Sequence, residues 1–158
     1  STEHISFLAE GKQDPRPAFL SKLKEVIGEE GSIVVYNQAF EKGVLNELAR
    51  DFPEYQDLVN EMLPRIIDLL IPFRNFHYYN PEQLGSASIK KVLPAVTGKD
   101  YSGMDISNGA DASLSYEETI STDMPKERVK EIREALEKYC GLDTWAEVII
   151  IRELRKLI

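Results

Sequence analysis

Two short stretches carry residue types that could hold a metal or move a proton. The first is Tyr36-Asn37-Gln38-Ala39-Phe40-Glu41. Here an apolar strand ends, the chain turns, and an acid falls in the first turn of the next helix. Ligand sites in open α/β sheets gather at such crossings, beyond the carboxyl ends of the strands. A bland reading competes: Glu41 complements the positive end of the helix and Asn37 serves the turn or cap. The second stretch lies in the tail. At about 100° per residue, Val129, Ile132, Leu136, Tyr139 and Cys140 fall on one stripe, and Asp143 falls on it too. An acid on an apolar stripe needs a hydrogen-bond donor, a basic partner or a metal, because burying an unpaired carboxylate is costly. Tyr139 sits one turn before Asp143, so phenol and carboxylate project side by side. Glu147 continues the row, unless a bend at Gly141 rotates it away. The competing reading is a buried Asp143 bonded to backbone amides.

The elements that must position these residues are legible in part. His4 to Ala9 alternates imperfectly and suits a short strand. After the Asp14-Pro15 turn, Phe19, Leu20, Leu23, Val26 and Ile27 recur at helical spacing until Gly28 and Gly31. Ser32-Ile33-Val34-Val35-Tyr36 is a β-branched strand whose continuous apolar run predicts cover on both faces. A helix follows with Phe40, Val44, Leu45 and Leu48; Pro53 ends it and opens another with Tyr55, Leu58, Val59 and Met62. Arg65 to Leu70 reads as a third strand, and Asp68 at its end suits either the acidic site or a capping role. From Phe73 to about Asp111 turn residues dominate, with one short helix around Ser88 to Val96. The tail from about Pro125 to Leu157 is helical, as one helix or as two hinged near Gly141. Strands alternating with helices predict an α/β layer architecture in a single domain, 1–158.

Composition narrows the classes further. The chain has 158 residues, a net charge of −8 and one cysteine, Cys140. The acidic balance argues against electrostatic coating of nucleic acid, yet leaves room for an enzyme that threads one strand end into a carboxylate-bound metal. No apolar run approaches the roughly 20 residues of a membrane span. A lone cysteine and the lack of a signal-peptide pattern point to a cytoplasmic setting. His4 and His77 have no partner at a recognised spacing. His77-Tyr78-Tyr79 suits either base stacking or an aromatic strand end before the Asn80-Pro81 turn. Lys90, with Lys91 and Lys99, suits either phosphate contact or a solvated helix face.

Together the two stretches resemble a known pattern. Asn37-x-x-Phe40-Glu41 resembles the second exonuclease motif of the DnaQ-like 3′–5′ exonuclease superfamily, and Tyr139-x-x-x-Asp143 resembles the third. More narrowly, four blocks resemble an uncharacterised bacterial domain often found C-terminal to RecB-type nuclease regions. They are Val35-Tyr36-Asn37 with Phe40-Glu41, Gly85 to Pro94, Ser107-Asn108-Gly109, and Tyr139-Cys140 with Asp143-Thr144.

The resemblance implies an RNase H-like mixed sheet with flanking helices, incomplete at its N-terminal end. It implies a two-metal phosphodiesterase using Mg²⁺ or Mn²⁺ on a DNA or RNA 3′ end. By carry-over Glu41 and Asp143 are metal ligands and Tyr139 orients the attacking water. Asn37, Phe40 and Lys90 contact the substrate strand. Two departures stand out: the second-motif acid is usually Asp rather than Glu, and the Asp-x-Glu of the first motif is absent. An exonuclease-like chain inactive by itself is therefore expected, which either pairs into a homodimer through an exposed sheet edge or rearranges its sheet to close the gap. The alternative is a noncatalytic nucleic-acid- or protein-binding module of the same fold.

Overall fold

The computed structural model describes residues 2–121 and 123–157. The protein is mixed α/β and mostly helical, with one two-stranded parallel sheet among the described residues. Helix α1 spans Arg16–Val26, strand β1 Ile33–Val35 and helix α2 Gln38–Asp51. Helix α3, Gln56–Met62, leads through a 3₁₀ turn to strand β2, Ile66–Asp68. Then come the short α4, Leu70–Arg74, and α5, Ile89–Thr97, followed by α6, Gly109–Ser121, and α7, Lys126–Leu154.

Strand β1 runs parallel to β2 in the register Ile33–Ile66, Val34–Ile67, Val35–Asp68. Two parallel strands need a long crossover, and α2 with α3 provides it. The side chains of β1 alternate between two apolar clusters. Ile33 and Val35 pack against the cluster of Leu45, Ala49, Val59, Met62 and Ile66. Val34 and Tyr36 pack against the larger cluster built on Phe73, Val92, Leu93, Ile132, Leu136 and Ile150. Both faces of β1 are thus covered, as its apolar run predicts. Its residues are only half-buried, because among the described residues β2 is its one paired neighbour. Arg65, in the turn before β2, clamps the end of α1. Its guanidinium donates to the carbonyls of Ile27, Gly28, Glu30 and Gly31 at 2.8–3.2 Å, which ties the loop after α1 to the turn before β2.

Two expectations are corrected, and an alternative left open in the tail is decided. Residues 4–9 form no strand. They lie along α7, where Arg133 donates to the carbonyls of Leu8 and Ala9, each at 2.8 Å, and Leu8 packs on the larger cluster; no strand edge competes for their backbone. The tail is one continuous helix of 29 residues. A single glycine costs about 1 kcal/mol in a helix interior, too little to break one anchored by six buried side chains. The stretch after Phe73 is more ordered than its turn residues suggest. Helix α6 begins where Asn108 accepts the Asp111 amide at 2.9 Å, and it packs Ala112 and Tyr116 onto the larger cluster.

Candidate active site

The crossing from β1 to α2 is held by an acid from the neighbouring strand. Asn37 has φ 86° and ψ 70°, and its side chain caps nothing. The open amides at the start of α2 go instead to Asp68. Its carboxylate accepts from Asn37 N at 2.9 Å, Gln38 N at 3.0 Å and Leu70 N at 2.9 Å. Asp68 is 8% exposed. Burial by itself would raise its pKa, but the three amides, helped by Arg74, hold it below the ordinary carboxylate range. Of the two roles read from the sequence, capping is the one the hydrogen bonds display.

Glu41 lies in the first turn of α2, half-buried, and burial pushes its carboxyl up. On α7, Ile132, Leu136 and Tyr139 are buried, as are Ala146, Ile149 and Ile150. Asp143 and Glu147 lie half-buried on the same face. The helix does not break at Gly141, so Glu147 stays in the row of Tyr139 and Asp143. Burial first, then the charges of Glu41, Asp143 and Asp68, push Glu147 up to about 8. Glu41 and Asp143, far apart in the chain, therefore bear on one and the same side chain.

Phenols surround these acids. Tyr101 donates its hydroxyl to Asp143 Oδ1 at 2.7 Å. Its ring centroid lies 6.4 Å from that of Tyr139. Burial, then the neighbouring Asp143 carboxylate, push the Tyr139 hydroxyl up to about 12. Tyr36 donates to the Ala87 carbonyl at 2.6 Å; burial and then Asp68 and Glu147 raise its pKa, with Arg74 opposing. The acid on the apolar stripe thus has a phenol for its donor, one of the forms of compensation its position demands. Sequence reasoning missed Tyr101, which lies in a turn-rich segment with no periodicity to single it out.

Of the remaining candidates, Lys90 is committed elsewhere and the other two stand in solvent. Asn37 is exposed in the turn and Phe40 is 65% exposed. Lys90 directs its ammonium to the Ser107 carbonyl.

In donor type, Glu41, Asp143 and Glu147 fit a hard divalent cation, which prefers oxygen ligands. In number and spacing they do not complete a site: no three Asp, Glu, His or Cys side chains among the described residues are grouped to hold a metal. Asp68 has its oxygens on amides and Asp143 has one on a phenol.

A family model described as "Domain of unknown function (DUF2779)" matches residues 1–88, more than half of the chain, and the protein belongs to that family. No curated protein and no solved structure matches it. Among the described residues no helix is long and apolar enough to cross a membrane.

Proposed function

We propose that this DUF2779 protein is an exonuclease-like domain that contributes part of a metal-dependent phosphodiesterase centre acting on DNA or RNA 3′ ends. One observation carries the reading. Glu41 stands in the first turn of the helix after β1, Asp68 ends β2, and Asp143 and Glu147 share one half-buried face of the last helix, so that burial and the charges of the other three oppose ionisation of Glu147. The carboxyl ends of parallel strands are where open α/β folds gather ligands, and mutual repulsion among carboxylates is what a bound cation relieves. The parallel pair with its helices would be part of an RNase H-like sheet whose Asp-x-Glu this chain does not contain.

In this reading Glu41, Asp143 and Glu147 are the oxygen donors for Mg²⁺ or Mn²⁺. Bound metal would polarise the phosphate and stabilise charge at the leaving oxygen. Without metal the Tyr101 phenol occupies one oxygen of Asp143; Tyr139 would orient the attacking water, and Phe40 and Asn37 would contact the substrate strand.

The second reading, a noncatalytic binding module of the same fold, is favoured by a separate observation. Asp68 and Asp143 already have protein donors, and the acids form no closed metal group among the described residues.

Titration of the chain with Mn²⁺, followed by electron paramagnetic resonance, separates the two. The first reading expects weak binding, with a dissociation constant on the order of millimolar since three carboxylates under-fill an octahedral ion. Asp143→Asn and Glu147→Gln should each abolish it, and a labelled single strand should stay uncut. Mn²⁺ binding that both variants leave unchanged would favour the module.

A further inference from the structure

We infer that the exposed ring pair Phe76–Tyr79, flanked in the chain by Arg74 and His77, is a stacking platform that receives single-stranded nucleic acid. The inference rests on the proposed nuclease reading and adds to it the surface that holds the strand.

The backbone supplies the first argument. Helix α4 closes in a six-residue turn in which His77 N donates to Pro72 O at 2.9 Å and Phe76 N to Phe73 O at 3.3 Å. This is the pairing of a Schellman motif, whose left-handed position is normally glycine. Here it is Phe76, with φ 55°. A side chain in that conformation is disfavoured, and Phe76 regains nothing through burial, since it is 65% exposed. Folding alone would not select phenylalanine at this position.

The second argument is the arrangement of rings. Phe73, 1% exposed, stacks on Tyr36 at 6.5 Å and meets Tyr78 edge-on at 5.7 Å. These packed rings tie the turn to the end of β1, where the charges of Asp68 and Glu147 reach Tyr36. Phe76 and Tyr79 turn the other way, their centroids 5.6 Å apart and tilted by 53°, with Tyr79 44% exposed. The Tyr79 hydroxyl accepts Gly85 N at 3.2 Å, which holds that ring still. Fixed, exposed π-faces suit bases of any sequence.

Charge supplies the third. Between Asp68 and Asp100 the only acid is Glu82, against Arg74, Lys91, Lys99 and Lys90, the last held on the Ser107 carbonyl, in a chain whose net charge is −8. Arg74 makes no hydrogen bond or salt bridge among the described residues; its charge reaches Asp68 and Tyr36 through space, and its N–H donors stay available to a phosphate. A chain otherwise acidic is thus locally suited to a polyanion, on the segment that presents the rings.

The test is fluorescence anisotropy of a labelled oligodeoxythymidine of about 12 nucleotides with the full chain at low salt, in the presence of a chelator. Phe76→Gly keeps the turn and removes the ring. It should raise the melting temperature by a few degrees while weakening the oligonucleotide at least tenfold. Arg74→Gln should flatten the salt dependence. Absence of wild-type binding, or unchanged affinity in Phe76→Gly, overturns the platform. So does a wild-type dimer that Phe76→Gly disperses without touching oligonucleotide affinity, which would assign the rings to a second copy. Mn²⁺ binding is read separately: its loss with oligonucleotide binding intact defeats the metal reading and leaves the platform standing.

Discussion

Asp68 and Glu147 are carboxylates within electrostatic reach of each other, and the fold treats them in opposite ways. Asp68 sits where a helix start and a strand end leave three amides open, and it takes all three. Glu147 lies on a half-buried helical face among other acids, and their charges oppose its ionisation. One acid is used to build the crossing between β1 and α2. The other is held where burial and neighbouring acids both oppose its charge.

The largest expected effect breaks the first half of that comparison. Asp68→Ala leaves the Asn37, Gln38 and Leu70 amides without their acceptor, and bonds to a charged group contribute about 1.5–3 kcal/mol each when removed singly. Urea unfolding should show a loss of about 3 kcal/mol or more. Because the Asp68 pKa is lowered on folding, its contribution is present above the ordinary carboxyl pKa and fades as pH falls through the folded value. Equal stability of wild type and variant at neutral pH would remove the capping role.

Glu147 carries the opposite sign. Its folded pKa is raised from 4.5 to about 8. Between those values the unfolded chain has released the proton and the folded chain retains it, so stability falls as pH rises across that window. In metal-free buffer Glu147→Gln should therefore stabilise the protein above pH 8, by roughly 1–3 kcal/mol after allowance for solvent at a half-buried position. Near pH 4 it should change little. A variant less stable than wild type at pH 9 would show that Glu147 has a favourable partner.

The smallest effect sharpens the boundary between the two. Tyr101→Phe removes the hydrogen bond from its phenol to Asp143 Oδ1. It should cost about 1 kcal/mol in thermal unfolding, and it frees a carboxylate oxygen, so Mn²⁺ binding should tighten. Weaker Mn²⁺ binding would mean that the phenol holds Asp143 in its binding position.

Much of this was legible in the chain. The helices α1, α2, α3 and α5, both strands, and the acid row of α7 follow from apolar spacing, proline and glycine. The row Tyr139–Asp143–Glu147 needed only the helical period, since the one doubtful point was whether Gly141 would bend it. A strand at residues 4–9 was wrongly expected because alternation records a preference and not the presence of a pairing edge. The short α4 was missed because its five residues contain Pro72 and begin inside an apolar run, where strand and helix read alike.

What the sequence by itself determined is therefore local: periodic apolar stripes, the turn after Tyr36, an acid placed where an acid should not lie unless something answers it. Those follow from steric and solvation rules acting over a few residues. Which acid would be answered, and by what, was decided only by tertiary structure. Asp68 meets α2 because β2 pairs with β1 in one particular register, and Tyr101 meets Asp143 because an irregular loop packs onto α7. Hydrogen-bond partners and charge repulsion depend on distances between segments far apart in the chain, and spacing along the chain does not encode those distances.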